Sequence, residues 1–159
     1  MKLKVLAAGR MKAGPERTLA DDYLARSQAL GRGIGFSITL TEFAESKAPT
    51  AAGRMADELK SFTGLLTDRS FTVVLDERGK TMGSEAFAGL LRHHLDQATG
   101  EMAFLIGGPD GHAPSTRDRA GLVLSLGSMT WPHRLVRVML LEQIYRAGTI
   151  LVKHPYHRV

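Results

Sequence analysis

The stretch that decides the fold is "EMAFLIGGPDG", residues 101–111. Met102 to Ile106 is apolar without alternation, the pattern of a strand covered on both faces. The glycines at 107, 108 and 111 around Pro109 then form a turn in which backbone can approach a ligand closely. A strand buried on both faces belongs to a parallel sheet flanked by helices. In such sheets ligands sit beyond the carboxyl ends of the strands.

Four more apolar, partly β-branched runs surround this one: 2–9, 34–43, 71–77 and 122–130. Between them lie segments of helical period. Residues 15–30 open with Pro15 at a first-turn position and set Leu19, Tyr23, Leu24 and Leu30 near one face. Residues 50–66 and 84–98 behave similarly, with Ser84 as the N-cap expected for the latter. A last helix is expected from about Pro132 to near Gly148, followed by "TILV" as a short extended piece. Alternating strands and helices predict one α/β domain, a mainly parallel sheet with helices on both faces. At 159 residues the chain is long enough to bury about 70% of its unfolded surface.

Three strand ends are expected to share one pocket: "VVLDERGK" (73–80), "FLIGGPDG" (104–111) and "SLGSMTWPH" (125–133). The last combines small residues, a methionine and a tryptophan, which suits a flat heterocycle better than a bare phosphate. Two phosphate motifs fail. "RGKT" (78–81) would need glycine at 74 for a Walker A loop and has Val74. "GRGIG" (31–35) precedes a strand, whereas a dinucleotide fingerprint follows one.

Charge is unevenly placed. Residues 1–116 hold 14 Lys+Arg and 14 Asp+Glu; residues 117–159 hold seven basic and two acidic residues, the whole net excess of +5. A one-ended basic surface suggests a polyanion such as nucleic acid. Cysteine is absent, which excludes disulfides and thiolate chemistry. Without cysteine and without a carboxylate at ligand spacing, no metal is expected at the histidines; adjacent His93 and His94 point apart on a helix and read as surface residues. The apolar run at the N-terminus is too short for a signal peptide, and none approaches a membrane span. A soluble, cytoplasmic protein with no membrane association is expected.

The helix "HRLVRVMLLEQIYRAG" (133–148) is apolar over most of its circumference, as either a core helix or a buried subunit interface. Glu142 and Arg146 stand at i,i+4 and are set to pair. The chain closes on "KHPYHRV" (153–159), either a solvated basic tail or a segment that folds over a ligand.

The blocks Leu105 to Gly111, "TWPHRLVRV" (130–138), Glu142 to Ala147 and "HPYHR" (154–158), with "VVLDERGK", resemble the RlmH (YbeA) family over the whole chain. The resemblance implies a SPOUT fold with a C-terminal trefoil knot and a homodimer. It implies transfer of a methyl group from S-adenosyl-L-methionine to N3 of a pseudouridine in bacterial large-subunit (23S) ribosomal RNA, on the assembled ribosome. By position, it puts cofactor contacts at Leu75, Gly108, Gly127, Ser128, Met129, Thr130, Trp131 and Pro132. It puts the chemistry at His154, Tyr156, His157 and Arg158 of the tail, with Arg146. A histidine is the expected base for the N3 proton, unless water takes it, while a guanidinium stabilises the anion and Tyr156 stacks on a base. Other readings are a SPOUT enzyme for another RNA and a non-catalytic ribosome-binding factor. Three residues depart from the family pattern: Lys153 where asparagine is expected, Arg134 for proline, and Trp131 for leucine.

Overall fold

The structure is a computed structural model and describes residues 1–156. Its elements in chain order are β1 (Lys2–Ala8), α1 (Pro15–Ile34), β2 (Ser37–Phe43), α2 (Ala51–Leu65), β3 (Phe71–Thr81), α3 (Ser84–Asp96), β4 (Glu101–Ile106), α4 (Pro114–Asp118), β5 (Leu122–Ser125) and α5 (His133–Leu151). The five strands form one parallel sheet in the order β2-β1-β4-β3-β5.

Every residue of β4 is buried, because the strand sits at the centre of the sheet with apolar layers on both sides. One layer joins Leu3, Val5, Val73, Phe104 and Ile106 to Phe87 and Leu91 of α3 and to Leu140, Leu141 and Ile144 of α5. The other joins Leu6, Val74, Ala103 and Leu105 to Phe62 of α2. Phe62 meets Phe43 edge-on at 4.9 Å; its burial alone stabilises the fold by about 2–3 kcal/mol. The alternating sides of Val73 and Val74, and of Phe104 and Leu105, explain why the sequence shows no polar face.

The strands and long helices expected from the sequence are present, with four corrections. Ser84 is not the N-cap of α3: Gly83 is, and Ser84 Oγ donates to Gln143 Oε1 on α5 (2.7 Å). Gly148 does not end the last helix but lies inside it, at a close crossing where a Cβ would stand 2.9 Å from Leu30 of α1. "TILV" is not extended, because Thr149 is fully buried in α5 and its Oγ1 donates to Arg146 O (2.7 Å). β3 does not stop at 77. Leu75 and Lys80 both pair with Leu124, so Asp76–Gly79 bow out and the strand resumes to Thr81. Gly79 permits this, since a Cβ there would lie 2.7 Å from the backbone of Val123 and Leu124. His93 is exposed as expected, whereas His94 is half-buried, 4.1 Å from the Phe71 ring.

α5 ends in a Schellman motif: Lys153 N donates to Ile150 O (3.1 Å) and His154 N donates to Thr149 O (2.8 Å). Lys153 is the left-handed residue of that motif, at φ 55°. Asparagine adopts this conformation more readily than lysine, which gives a backbone reason for the asparagine of the family pattern.

Candidate functional site

The three strand ends meet around a cavity of about 540 Å³. Leu75 and the bowed Asp76–Arg78 form one wall, Gly107–His112 the second, and Gly127 with Met129–His133 the third. Leu75, Gly108, Gly127, Met129, Thr130, Trp131 and Pro132 all line it; Ser128 does not. Met129 and Trp131 are among the exposed large apolar side chains of the molecule, at 69% and 39%.

Polar contacts fix each wall. Asp76 accepts the Arg78 amide through Oδ1 (3.0 Å) and pairs through Oδ2 with Arg117 of α4 (3.2 Å). Arg117 also donates to the His112 carbonyl (2.8 Å), so α4 locks the bow of β3 to the turn after β4. Within that turn Gly111, at φ 75°, donates its N–H to Gly108 O (2.9 Å). Thr130 Oγ1 donates to Glu77 Oε2 across the mouth (3.4 Å), and Ser125 Oγ accepts from Gly127 N (3.1 Å). His133 lies 3.8 Å from Glu45; burial lowers its pKa, so the ring is uncharged near neutrality.

His112 is 5% exposed and accepts the Gly107 N–H at Nε2 (3.0 Å). Burial pushes its pKa down to about 4, so the folded chain holds it neutral. The unfolded chain binds this proton from about pH 6.5 downward, and the folded chain only from about pH 4. Stability from this residue is therefore intact above pH 6.5 and falls as pH drops toward 4. Between pH 7 and 5 the loss is about 2 kcal/mol. Urea unfolding at both values checks this: His112→Gln should lose that part of the pH dependence, and an unchanged slope would refute the assignment.

Arg146, His154 and Tyr156 lie elsewhere. Val136 of α5 borders the cavity, and Arg146 is ten residues further along, about 15 Å at 1.5 Å per residue. There Glu142 Oε1 accepts from Arg146 Nε (2.9 Å) and from Tyr156 Oη (3.1 Å). The Tyr156 ring packs edge-on to Tyr145 at 4.9 Å and lies under the Arg146 guanidinium, also at 4.9 Å. Burial, with Tyr23 and Glu142 beside it, raises the Tyr156 pKa; the Glu142 hydrogen bond raises that of Arg146. His154 is exposed, and its Nδ1 accepts the Tyr156 amide (3.1 Å). His157 and Arg158 lie outside the described residues.

The sequence reading missed Asp76, His112, Arg117 and His133, although Asp76 and His133 lie within stretches already singled out and His112 directly follows one. Glu58 and Arg54, which hold the glycine turn from α2, carry no such signal, being 50 or more residues from their partners. Among the described residues no group of three or more His, Asp or Glu is placed to hold a metal.

A family model described as "Predicted SPOUT methyltransferase" matches residues 1–157. A protein of Rhodopseudomonas palustris (strain BisB5), "Ribosomal RNA large subunit methyltransferase H", is 52% identical over 159 residues, 99% of each chain. One of the same name from Bradyrhizobium diazoefficiens is 49% identical over the same coverage. Among solved structures, a probable methyltransferase from Bordetella pertussis Tohama I matches with TM-score 0.53 and 14% identity, over 92% of this chain and 95% of that one. A probable methylase family protein from Haemophilus influenzae Rd KW20 matches with TM-score 0.56 and 10% identity, over 99% of this chain and 70% of that one. At such identities the structures speak for the shared fold alone. The family match and the half-identical relatives go further: with its α/β architecture and its cavity at three strand ends, this chain belongs to the SPOUT methyltransferase family.

Proposed function

We propose that this chain is a homodimeric methyltransferase of bacterial large-subunit (23S) ribosomal RNA. Its cofactor is S-adenosyl-L-methionine and its target N3 of a pseudouridine on the assembled ribosome. The observation that carries the reading is the convergence of seven residues from three separate stretches, Leu75, Gly108 and Gly127 to Pro132 without Ser128, on one cavity. The relatives' shared name and the basic excess of residues 117–159, less Arg137, which is buried against Glu42, support the RNA substrate.

The cavity fits the cofactor. About 540 Å³ lies within the range of about 300–1,000 Å³ common for small-molecule sites. Leu75, Leu124, Leu126 and Trp131 offer apolar surface for adenine, and the glycine loops offer close backbone. Leu75, Gly108, Gly127 and Met129–Pro132 would hold it, whereas Ser128, outside the lining, would only carry the loop. When bound, S-adenosylmethionine supplies an electrophilic methyl group. The protein's part is to align the acceptor nitrogen and manage its proton.

The groups suited to that task stand about 15 Å along α5 from the cavity wall, too far to serve the cavity of their own chain. We therefore assign the tail and Arg146 of one subunit to the cavity of the other. A surface for pairing is present beside α5: Leu19 and Leu135 are 47% and 37% exposed, and Val138 and Met139 border a second, mostly apolar hollow of about 560 Å³. The knot of the SPOUT fold belongs to the same proposal. In that reading α5, which starts at the cavity and packs back on α1 and α3, is the threaded C-terminal segment.

In the completed site His154 takes the N3 proton, a guanidinium from Arg146 or Arg158 stabilises the resulting anion, and Tyr156 stacks on the base, with His157 as the alternative base. Nε2 is the ring nitrogen available for the proton, since Nδ1 accepts from the Tyr156 amide. His154→Ala should slow methyl transfer about 100-fold or more and leave cofactor affinity unchanged; an unaltered single-turnover rate would remove His154 from the role. The function itself is tested with labelled S-adenosylmethionine and ribosomes lacking the modification. Label at N3 of a large-subunit pseudouridine is the expected result. Label in another RNA, or none despite cofactor binding, would overturn it.

A further inference from the structure

Glycine-rich turns often bind phosphate by turning successive backbone N–H groups toward it. In the turn after β4 the three glycine donors face the protein instead. Gly107 N donates to His112 Nε2 (3.0 Å), Gly108 N to Glu58 Oε2 (3.1 Å) and Gly111 N to Gly108 O (2.9 Å); Pro109 has no N–H. The acceptor on Gly108 is a carboxylate from α2, only 6% exposed and raised in pKa by that burial. It sits so close that a Cβ on Gly108 would stand 2.5 Å from Glu58 Oε1.

One turn earlier on the same face of α2, Arg54 grips Asp110 with a two-pronged bond: Nε to Oδ2 at 2.6 Å and Nη2 to Oδ1 at 2.9 Å. Its third nitrogen, Nη1, donates to Ala48 O (3.1 Å). α2 thus holds the turn at two points, and neither Glu58 nor Arg54 lines the cavity. The ionisable residues that do line it include Asp76, Glu77 and Asp110 against Arg78 and Arg117. Asp76 and Asp110 are each paired with an arginine. Side-chain charge is nearly balanced, and discrimination between ligands falls on the backbone.

We infer that Glu58, with Arg54 beside it, is a positioning and specificity residue of the cavity. It occupies the Gly108 amide, fixes the turn, and takes from that wall a donor that a phosphate would use. The site then favours an adenosyl ligand with a sulfonium over a nucleotide with phosphates. The inference rests on the cofactor reading above.

Calorimetric titration of the full chain with S-adenosylmethionine and with ATP tests it, using wild type, Glu58→Gln, Glu58→Ala and Arg54→Gln. Glutamine keeps an acceptor for Gly108, so E58Q should stay within about threefold of wild type for S-adenosylmethionine. E58A should lose about tenfold, and its preference for S-adenosylmethionine over ATP should narrow. A merely structural role would lower the melting temperature and leave that preference untouched. E58A with wild-type affinity and preference, or E58Q as impaired as E58A, overturns the inference. Should E58A fail to fold, R54Q decides: a loss of about threefold or more supports the clamp, and wild-type affinity refutes it. A wild type that binds no S-adenosylmethionine sinks the functional reading, and this inference with it. A wild type that binds ATP equally well sinks the specificity claim alone.

Discussion

Replacing Arg137 with alanine is expected to cost about 3–5 kcal/mol of stability, more than any other single change considered. Arg137 is fully buried although it stands on the apolar α5. Nη1 pairs with Glu42 Oε1 of β2 (2.7 Å), and Nη2 donates to Ala8 O at the end of β1 (2.6 Å). Glu42 Oε2 is in turn held by Arg17 of α1 and by the Met11 amide (3.3 Å). The guanidinium therefore ties α5 to the carboxyl ends of two strands. Burial lowers its pKa, opposed by Glu42. Alanine would leave Glu42 half-compensated and the Ala8 carbonyl unpaired, besides opening a cavity. Replacing both partners by neutral groups of similar shape, Arg137→Met with Glu42→Gln, should cost less than the sum of the single changes. Urea unfolding of the four proteins measures both quantities; an R137A midpoint near that of wild type would show that the pair does not hold α5.

Removing residues 153–159 should abolish methyl transfer to RNA and leave a folded protein that binds cofactor within about threefold of the full chain. The segment contributes the two Schellman bonds and the Tyr156 contacts with Glu142, Tyr23, Tyr145 and Arg146, all at one end of α5. Neither His154 nor Tyr156 lines the cavity or belongs to either apolar layer. The loss should thus fall on the acceptor side of the reaction. Circular dichroism and cofactor titration establish that the truncated chain is intact, and single-turnover methylation of unmodified ribosomes gives the rate. Transfer at an undiminished rate would return the tail to the role of a solvated end; loss of cofactor binding would mean that it supports the cavity after all.

The centre of the sheet was legible because its strands, covered on both sides, have no polar face to break the apolar run: Met102 to Ile106 and Phe71 to Leu75 announce themselves. The cavity was legible because its walls are loops directly after those strands. What escaped reading depends on contacts between distant parts of the chain. Gly148 reads as a helix stop, yet α1 presses against it. Ser84 reads as a cap, yet its hydroxyl reaches Gln143. The bow of β3 depends on Gly79 meeting β5. Arg137 looks like a surface residue until Glu42, 95 positions earlier, is placed against it. Glu58 likewise stands alone in the sequence and meets Gly108 only in the fold.

α5 works as a ruler. Its first turns close the cavity, and its last carry Arg146 and the start of the tail. One residue inserted between Val136 and Arg146 would turn everything beyond it by about 100° and advance it by about 1.5 Å. Glu142 and Arg146 could no longer both keep their faces toward Tyr156 while Leu140, Leu141 and Ile144 kept theirs toward the sheet. A change of length inside α5 would therefore disturb the cavity wall and the Glu142–Arg146–Tyr156 cluster together.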